Sequence, residues 1–161
     1  MTWDPGSKIG TLSDEECARF LVEPWNGRIA TITSDGWPYV TPVWYEYKAG
    51  DRSFLVVGRE RAAWIAHIRQ NPRVAFHVAD DVHAQHTRVL VQGDAEILEG
   101  PVAPAASPRL LELTHRLSVR YLGPDGPKYA DRTIGRRRVL VRLAPTTWIT
   151  WTGQEWHPRY R

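Results

Sequence analysis

The sequence predicts a mainly β domain, in which a small antiparallel barrel of six strands is flanked by α-helices. Short runs rich in β-branched residues are separated by turn residues, and a tight turn joins the first two into a hairpin. Stretches of helical periodicity are interspersed among these runs. Pro42 and Gly93 interrupt two of the strands, which indicates bulges of the kind found at barrel corners. The 161 residues fit a single domain.

The N-terminal elements are a helix followed by three strands. Residues 1–11 are expected to be a poorly ordered lead-in. Ser13 and Glu16 form a capping box, which predicts a short helix ended by Glu23 and Pro24. The strands that follow are Arg28–Thr33, Pro38–Tyr47 and Ser53–Val57. Proline cannot donate a ladder hydrogen bond, so the second strand is an edge or is bulged at Pro42, and neighbouring backbone groups are free to meet a ligand.

A second helix follows the break at Gly58 and is stopped by Asn71 and Pro72. Arg59 and Arg61 are expected at its start, where the helix dipole disfavours cations by a few tenths to about 1 kcal/mol. An anion held by the guanidinium groups and the free N–H groups of the first turn would offset this arrangement. The alternative is a solvated basic turn in which Glu60 complements the dipole.

The C-terminal half completes the barrel. Its predicted elements are the strands Arg73–Val78, Thr87–Leu98 and Val139–Leu143, and a helix over Arg109–Leu122 with a leucine stripe. Gly93 is a natural bulge point within the long strand. Residues 100–108 are a connector rich in proline and alanine. The segment Tyr129–Ile134 is short, and whether it is helical stays open.

Composition excludes several classes of function. A net charge of +3 is too small to indicate a nucleic-acid partner, although Arg136–Arg138 is a short basic run. Cys17 is the only cysteine, so a reducing, cytoplasmic location is expected. No apolar run approaches the roughly 18 residues of a membrane span. His83 and His86 lack a third ligand nearby, so no metal site is expected.

The motifs of common catalytic sites are missing. The chain contains no nucleophile elbow, no phosphate-binding P-loop and no dinucleotide-binding glycine motif. What remains is an arginine-rich segment, a strand interrupted by proline, and eight tryptophans. Such a set suits a bound cofactor that carries the chemistry itself.

Several segments, in this order, resemble the pyridoxamine 5'-phosphate oxidase-like flavoproteins, including their relatives that use the deazaflavin F420. The segments are the hairpin Ser34–Tyr45, the helix region Arg59–Val74, the strand Val89–Ile97, the motif Arg120–Gly123 and the terminal stretch Trp151–Tyr160. The resemblance implies a split β-barrel of the FMN-binding type. It also implies a homodimer with two equivalent flavin sites at the subunit interface.

The resemblance implies the site residues as well. The broken strand would lie along the isoalloxazine, and Arg59 and Arg61 would meet the cofactor phosphate. The full set expected to bind the cofactor is Thr41, Pro42, Val43, Trp44, Val57, Arg59, Arg61, Trp64 and Arg88. Many members carry Ser-x-Lys in the first turn of the helix, where this chain has Ala62, Ala63 and Trp64. Trp64 is therefore expected to pack on the cofactor or across the dimer.

The leading hypothesis is an FMN-dependent oxidoreductase that transfers a hydride between the flavin and a small organic substrate. An F420-dependent reductase is the first alternative, because Arg136–Arg138 could supply the larger basic groove that its acidic tail needs. A flavin- or haem-binding protein without turnover is the second. Trp148, Trp151 and Trp156 predict an exposed, tryptophan-rich end that a second copy of the chain would bury.

Overall fold

The computed structural model describes residues 3–4, 6–83 and 85–154. The helices are α1 (Asp14–Leu21), α2 (Ala63–Gln70), α3 (Pro108–Leu122) and α4 (Gly126–Thr133). The strands are β1 (Gly27–Ile32), β2 (Pro38–Val43), β3 (Tyr45–Lys48), β4 (Ser53–Arg59), β5 (Arg73–Ala79), β6 (Arg88–Val102) and β7 (Arg138–Trp151). The predicted class, an antiparallel β domain with flanking helices, is confirmed.

The strands form one antiparallel sheet in the order β2-β1-β5-β6-β7-β4-β3. β2 and β3 lie at opposite edges of this sheet, yet only Trp44 separates them along the chain. The sheet must therefore roll up until its two edges approach each other at Trp44. The two edge strands are not paired with each other, so the barrel is split at this point.

The described sheet has seven strands where six were predicted. The predicted strand Pro38–Tyr47 is two strands, because Trp44 leaves the ladder and the chain passes from one edge to the other. Pro42 lies in β2, which pairs only with β1, and this confirms that its strand is an edge. Its missing N–H therefore leaves no gap in a central ladder.

β6 and β7 are longer than predicted. β7 continues through Pro145 to Trp151, although the sequence pattern ended it at Leu143. Pro145 faces Gly93 at a shift of register, so the bulge predicted at Gly93 is confirmed and also accommodates the proline. The first three residues of the predicted connector belong to β6, which extends to Val102. The segment left open around Tyr129 is the helix α4.

The core has two parts. The larger lies inside the rolled sheet and contains a group of mutually contacting rings, with Tyr45, Phe54 and Phe76 at centroid distances of 4.9–5.7 Å. The smaller lies under α3, whose predicted leucine stripe of Leu110, Leu113 and Leu117 packs on Leu140. The predicted capping box of α1 is present, since Ser13 accepts from the Glu16 amide and Glu16 accepts from the Ser13 amide.

The two ends of the chain are joined in their described parts. Gly10, within the predicted lead-in, pairs with Thr152, and the Trp3 indole donates to Thr87. The expectation of an exposed tryptophan-rich end is wrong for Trp148, which stacks on Phe54 at 5.9 Å within the same chain. Trp156 lies outside the described residues. No helix in the described ranges is both long enough and apolar enough to cross a lipid bilayer.

Candidate cofactor-binding site

A cavity of about 1150 Å³ opens where the rolled sheet is split. Its walls come from the segments Thr41–Trp44, Val57–Ala62 and Gly135–Arg138, together with Asn26, Trp64 and Tyr129. The cavity thus joins the break between β2 and β3, the end of β4 and the start of β7. It is slightly larger than the roughly 300–1,000 Å³ of typical pockets for a cofactor or a drug-sized molecule, so it has room for either.

The first wall is aromatic and its orientation is fixed. Trp44 stacks on Tyr121 at 5.2 Å with an interplanar angle of 3°, and the Tyr129 ring meets it edge-on at 5.5 Å. Tyr121 is held in turn by its hydroxyl, which accepts from the Tyr45 amide at 3.2 Å and donates to the Trp25 carbonyl at 3.0 Å. The wall therefore consists of aromatic rings, and Tyr121 of α3 sets the position of the Trp44 ring.

The second wall is the turn between β4 and α2. Arg59 is the last residue of β4 and Arg61 lies in the turn, so both precede the helix where the sequence placed them at its start. α2 begins at Ala63, with no acidic residue in its first turn and no side-chain cap from Ala62. The positive end of the helix dipole is therefore left without a negative side chain, as in a helix terminus that binds an anion.

Trp64 belongs to the core beneath this turn. It is only 4% exposed, and its ring lies over Gly58, where an added Cβ would come within 2.5 Å of Trp64 Cζ2. The contact with Gly58 requires that the strand carry no side chain here. The edge of Trp64 still borders the cavity, but its bulk packs inside the chain rather than across a dimer.

The third wall is basic. Arg136 and Arg137 are exposed, whereas Arg138 is only 6% exposed. Arg138 pairs in register with Arg59 across β4 and β7, so two arginines face each other in the ladder. Among the described residues that line the cavity, Glu60 has the only carboxylate, and it forms its ion pair with Arg137 at 3.5 Å. Within the described ranges, Arg59, Arg61, Arg136 and Arg138 have no ion pair.

Tyr129 lies between these arginines and the aromatic wall. Burial acts to raise the pKa of its phenol, but hydrogen bonding and charge from Arg138, and then from Arg59, outweigh burial and lower it. Two guanidinium groups therefore act on one hydroxyl.

The structure brings most of the predicted site residues together. Those that line the cavity are Thr41, Pro42, Val43, Trp44, Val57, Arg59, Arg61 and Trp64. Arg88 does not line it, because it begins β6 and pairs with Ala79 and Trp151. Sequence reasoning missed Tyr129 and Asn26, which no local pattern distinguishes. It noted Arg136–Arg138 as a basic run but could not place the run on the same cavity.

A family model described as pyridoxamine 5'-phosphate oxidase matches residues 13–152. No curated protein matches the chain at a significant level.

Three similar solved structures illustrate the range of relatives. A conserved hypothetical protein from Mycobacterium tuberculosis is 27% identical, with a TM-score of 0.67 over 91% of this chain and 89% of that one. An FAD-binding protein from Mesorhizobium loti is 24% identical, with a TM-score of 0.64 over 93% and 100% of the two chains. A protein described as an F420 reductase is 24% identical, with a TM-score of 0.59 over 80% and 92%. The last two likenesses show the fold alone.

Proposed function

The chain belongs to the pyridoxamine 5'-phosphate oxidase family, and from that premise we propose that it is an oxidoreductase whose split-barrel cavity holds a flavin-type cofactor. One observation carries the proposal. The same cavity joins a fixed aromatic wall to a set of arginines that have no ion pair among the described residues. A flat ring system that ends in an anionic tail matches both halves of that cavity.

The residues present fit such a group. The segment Thr41–Trp44 would lie along the ring system, with the Trp44 indole held in place by Tyr121. Arg59, Arg61 and the first turn of α2 would hold the phosphate through charge-assisted hydrogen bonds. When bound, the cofactor supplies hydride exchange with a small organic substrate, while the chain supplies binding, orientation and electrostatics.

FMN is the first candidate cofactor, since its single phosphate is matched by Arg59 and Arg61. F420 is the second, and a specific observation favours it. Arg136 is exposed on the rim of the same cavity without an ion pair among the described residues, and it adds positive charge beyond what one phosphate needs. The longer acidic tail of F420 would lie along this rim.

Identification of the bound cofactor tests the proposal. The chain would be purified from a host that makes both cofactors, its visible spectrum recorded, and the released small molecule identified by mass spectrometry. We expect FMN or F420 in a stoichiometric amount. Absence of both, combined with no binding of either to the purified chain, contradicts the proposal. A haem spectrum would support the alternative of a binding protein without turnover.

Turnover is tested separately from binding. The reduced cofactor on the protein would be mixed with small electron acceptors, and its reoxidation followed under anaerobic conditions. Reoxidation faster than that of the free cofactor supports an enzyme. A cofactor that is bound tightly but reoxidised no faster than in solution supports storage.

We also propose that the protein is a homodimer, formed through the outer face of the strands β2-β1-β5-β6-β7. Two adjacent rows of residues cross this face. Their apolar members include Val40, at 61% exposed, and Ile149, at 51% exposed. Leu90, Ala30 and Ala75 lie between them in the same register rows. A second copy of the chain would bury this face.

Light scattering at micromolar concentration tests the dimer. We expect twice the chain mass of 18.4 kDa. Ile149→Lys should shift the protein towards the monomer, because it places a charge in the interface. Val119→Lys is a matched control, since Val119 is equally exposed, at 51%, but lies on α3. A monomeric parent protein contradicts the proposal.

A further inference from the structure

Arg138 is a buried cation with no anionic partner among the described residues. Its side chain donates one hydrogen bond to the Thr133 hydroxyl at 2.7 Å, and its Nε has no hydrogen-bond partner. A buried charge normally has a counter-ion, because the cost of removing it from water is otherwise uncompensated. Arg138 lines the cavity, so a ligand there can reach it.

Arg59 adds a second positive charge at the same point. It lies directly opposite Arg138 in the antiparallel ladder of β4 and β7. Like charges in directly opposed positions destabilise a strand pair. Glu60, the neighbouring acidic residue, is already paired with Arg137. The juxtaposition is stabilised when an anion lies between the two guanidinium groups.

Tyr129 completes the group from α4. Its ring is fixed edge-on against Trp44, and it lines the cavity beside both arginines. The lowered pKa of its phenol reports that Arg138 and Arg59 both act on the hydroxyl. The other charged groups of α4 have their own contacts. Asp131 faces His115 of α3 at 3.8 Å, Lys128 pairs with Asp125, and Arg132 donates to a backbone carbonyl.

We propose that Arg59, Arg138 and Tyr129 form one oxyanion subsite, in which a phosphate or carboxylate accepts hydrogen bonds from both guanidinium groups and from the phenol. The subsite shares Arg59 with the phosphate contact proposed at the start of α2, but its other two members come from β7 and α4. The bound group belongs either to the cofactor or to an anionic substrate. Its source rests on the function proposed above, whereas the subsite itself does not.

The test uses inorganic phosphate and the ionisation of Tyr129. The full chain would be labelled with carbon-13 at tyrosine Cζ, and the resonance of Tyr129 identified by its loss in Tyr129→Phe. The phenol would then be titrated by NMR with phosphate and with chloride at equal ionic strength. Phosphate between the guanidinium groups disfavours the phenolate, so we expect it to raise the apparent pKa of Tyr129 while chloride does not.

Affinity supplies the second measurement. Tyr129→Phe removes only the hydroxyl. We expect the phosphate-dependent shift of the Arg138 and Arg59 guanidinium resonances to reach its midpoint at about a tenfold higher phosphate concentration. Tyr39→Phe is the matched control, because Tyr39 contacts His67 and does not line the cavity. Arg138→Gln should abolish the response to phosphate. If Arg138→Gln does not fold, the Tyr129→Phe measurement still tests the subsite.

Two further arms identify the source of the anion. If the subsite holds the cofactor phosphate, FMN shifts Tyr129 as phosphate does, riboflavin does not, and Tyr129→Phe weakens FMN alone. If it holds a substrate anion, phosphate still shifts Tyr129 in the FMN-loaded protein. A titration of Tyr129 that saturating phosphate leaves unchanged overturns the subsite, whether or not the chain binds a flavin.

Discussion

Arg116, which contacts Glu46, and the arginines around the cavity are in opposite electrostatic situations. Arg116 donates two hydrogen bonds to the Glu46 carboxylate, at 2.7 and 3.2 Å, and a third to Glu112 at 2.6 Å. Around the cavity, Arg59 and Arg138 lie opposite each other in the ladder, and both lower the pKa of the Tyr129 phenol. The chain has acidic residues available and uses them at Glu46. Among the described residues no carboxylate pairs with Arg59 or Arg138, and the one that lines the cavity, Glu60, pairs with Arg137 instead. This contrast is what the proposed external anion accounts for.

The largest expected effect concerns the arginines that have no ion pair. Each charge-assisted hydrogen bond to a phosphate contributes roughly 1.5–3 kcal/mol, partly screened at an open site. Replacing both Arg59 and Arg61 by alanine should therefore weaken FMN binding by about two to four orders of magnitude. Riboflavin lacks the phosphate and should lose far less affinity. Quenching of flavin fluorescence by the cofactor-free protein measures both.

The controls for this double variant come from both sides of the comparison. Arg116→Ala removes a paired arginine, and Arg69→Ala and Arg73→Ala remove exposed arginines away from the cavity. All three should leave the affinity for FMN unchanged. If the double variant binds FMN as tightly as the parent, Arg59 and Arg61 do not bind the cofactor and belong to a solvated turn.

A substitution in the packing under the cavity is expected to have an intermediate effect, on stability. Gly58→Ala places a Cβ within 2.5 Å of Trp64 and 2.8 Å of Ile65. Displacing these buried side chains should lower the free energy of unfolding by about 1–3 kcal/mol, as measured by urea denaturation. Gly50→Ala is the control, since nothing lies within 4 Å of a Cβ there. Equal stabilities would mean that Trp64 moves freely and that the floor of the cavity is not fixed.

The smallest expected effect concerns the ion pair between Glu46 and Arg116. Burial acts to raise the pKa of Glu46, but Arg116 outweighs it and holds the pKa below its ordinary value of 4.5. A carboxylate with a depressed folded-state pKa stabilises the protein above its unfolded pKa and loses that contribution as pH falls through the folded value. Because Arg116 is 45% exposed, Glu46→Gln should lower the free energy of unfolding by only about 0.5–1 kcal/mol at pH 7.

The pH dependence distinguishes this ion pair from a packing effect. The difference between the parent and Glu46→Gln should shrink as pH falls below about 4.5, where Glu46 takes up its proton. Urea denaturation at several pH values measures it. Glu112→Gln, at a carboxylate whose side chain is 74% exposed, should have a smaller effect at every pH. A constant difference across this range would show that the pair contributes through packing alone.

Local patterns predicted the elements but not where they end. The alternation of residues 38–47 continues through Trp44, so nothing in the pattern shows that the chain changes edges there. The sequence pattern ended β7 before Pro145, because a proline normally terminates a central strand. Here the bulge at Gly93 absorbs the missing hydrogen bond, and this compensation lies on another strand.

The residues of the candidate site also differ in whether a local sequence pattern can identify them. Thr41–Trp44 and Arg59–Arg61 belong to continuous segments. Local chemistry indicated a ligand at both, and the family resemblance implied that the ligand is a flavin. Tyr129 and Arg138 join the cavity only because α4 folds back beside Trp44 and β7 pairs with β4. Such contacts depend on the complete topology. The expectation that Trp148 is exposed was wrong for the same reason, since it stacks on Phe54 of the neighbouring strand β4, about 90 residues earlier in the sequence.

The single residue between β2 and β3 has a thermodynamic consequence. The walls of the cavity meet only after the sheet has rolled and its two edges have come together at Trp44, so the unfolded chain offers no equivalent surface. A molecule that contacts both walls therefore adds its binding free energy to that of folding, by about 2.7 kcal/mol at a concentration 100 times its dissociation constant. The melting temperature of the protein should accordingly rise with the concentration of its ligand, which makes thermal denaturation a direct way to rank candidate cofactors.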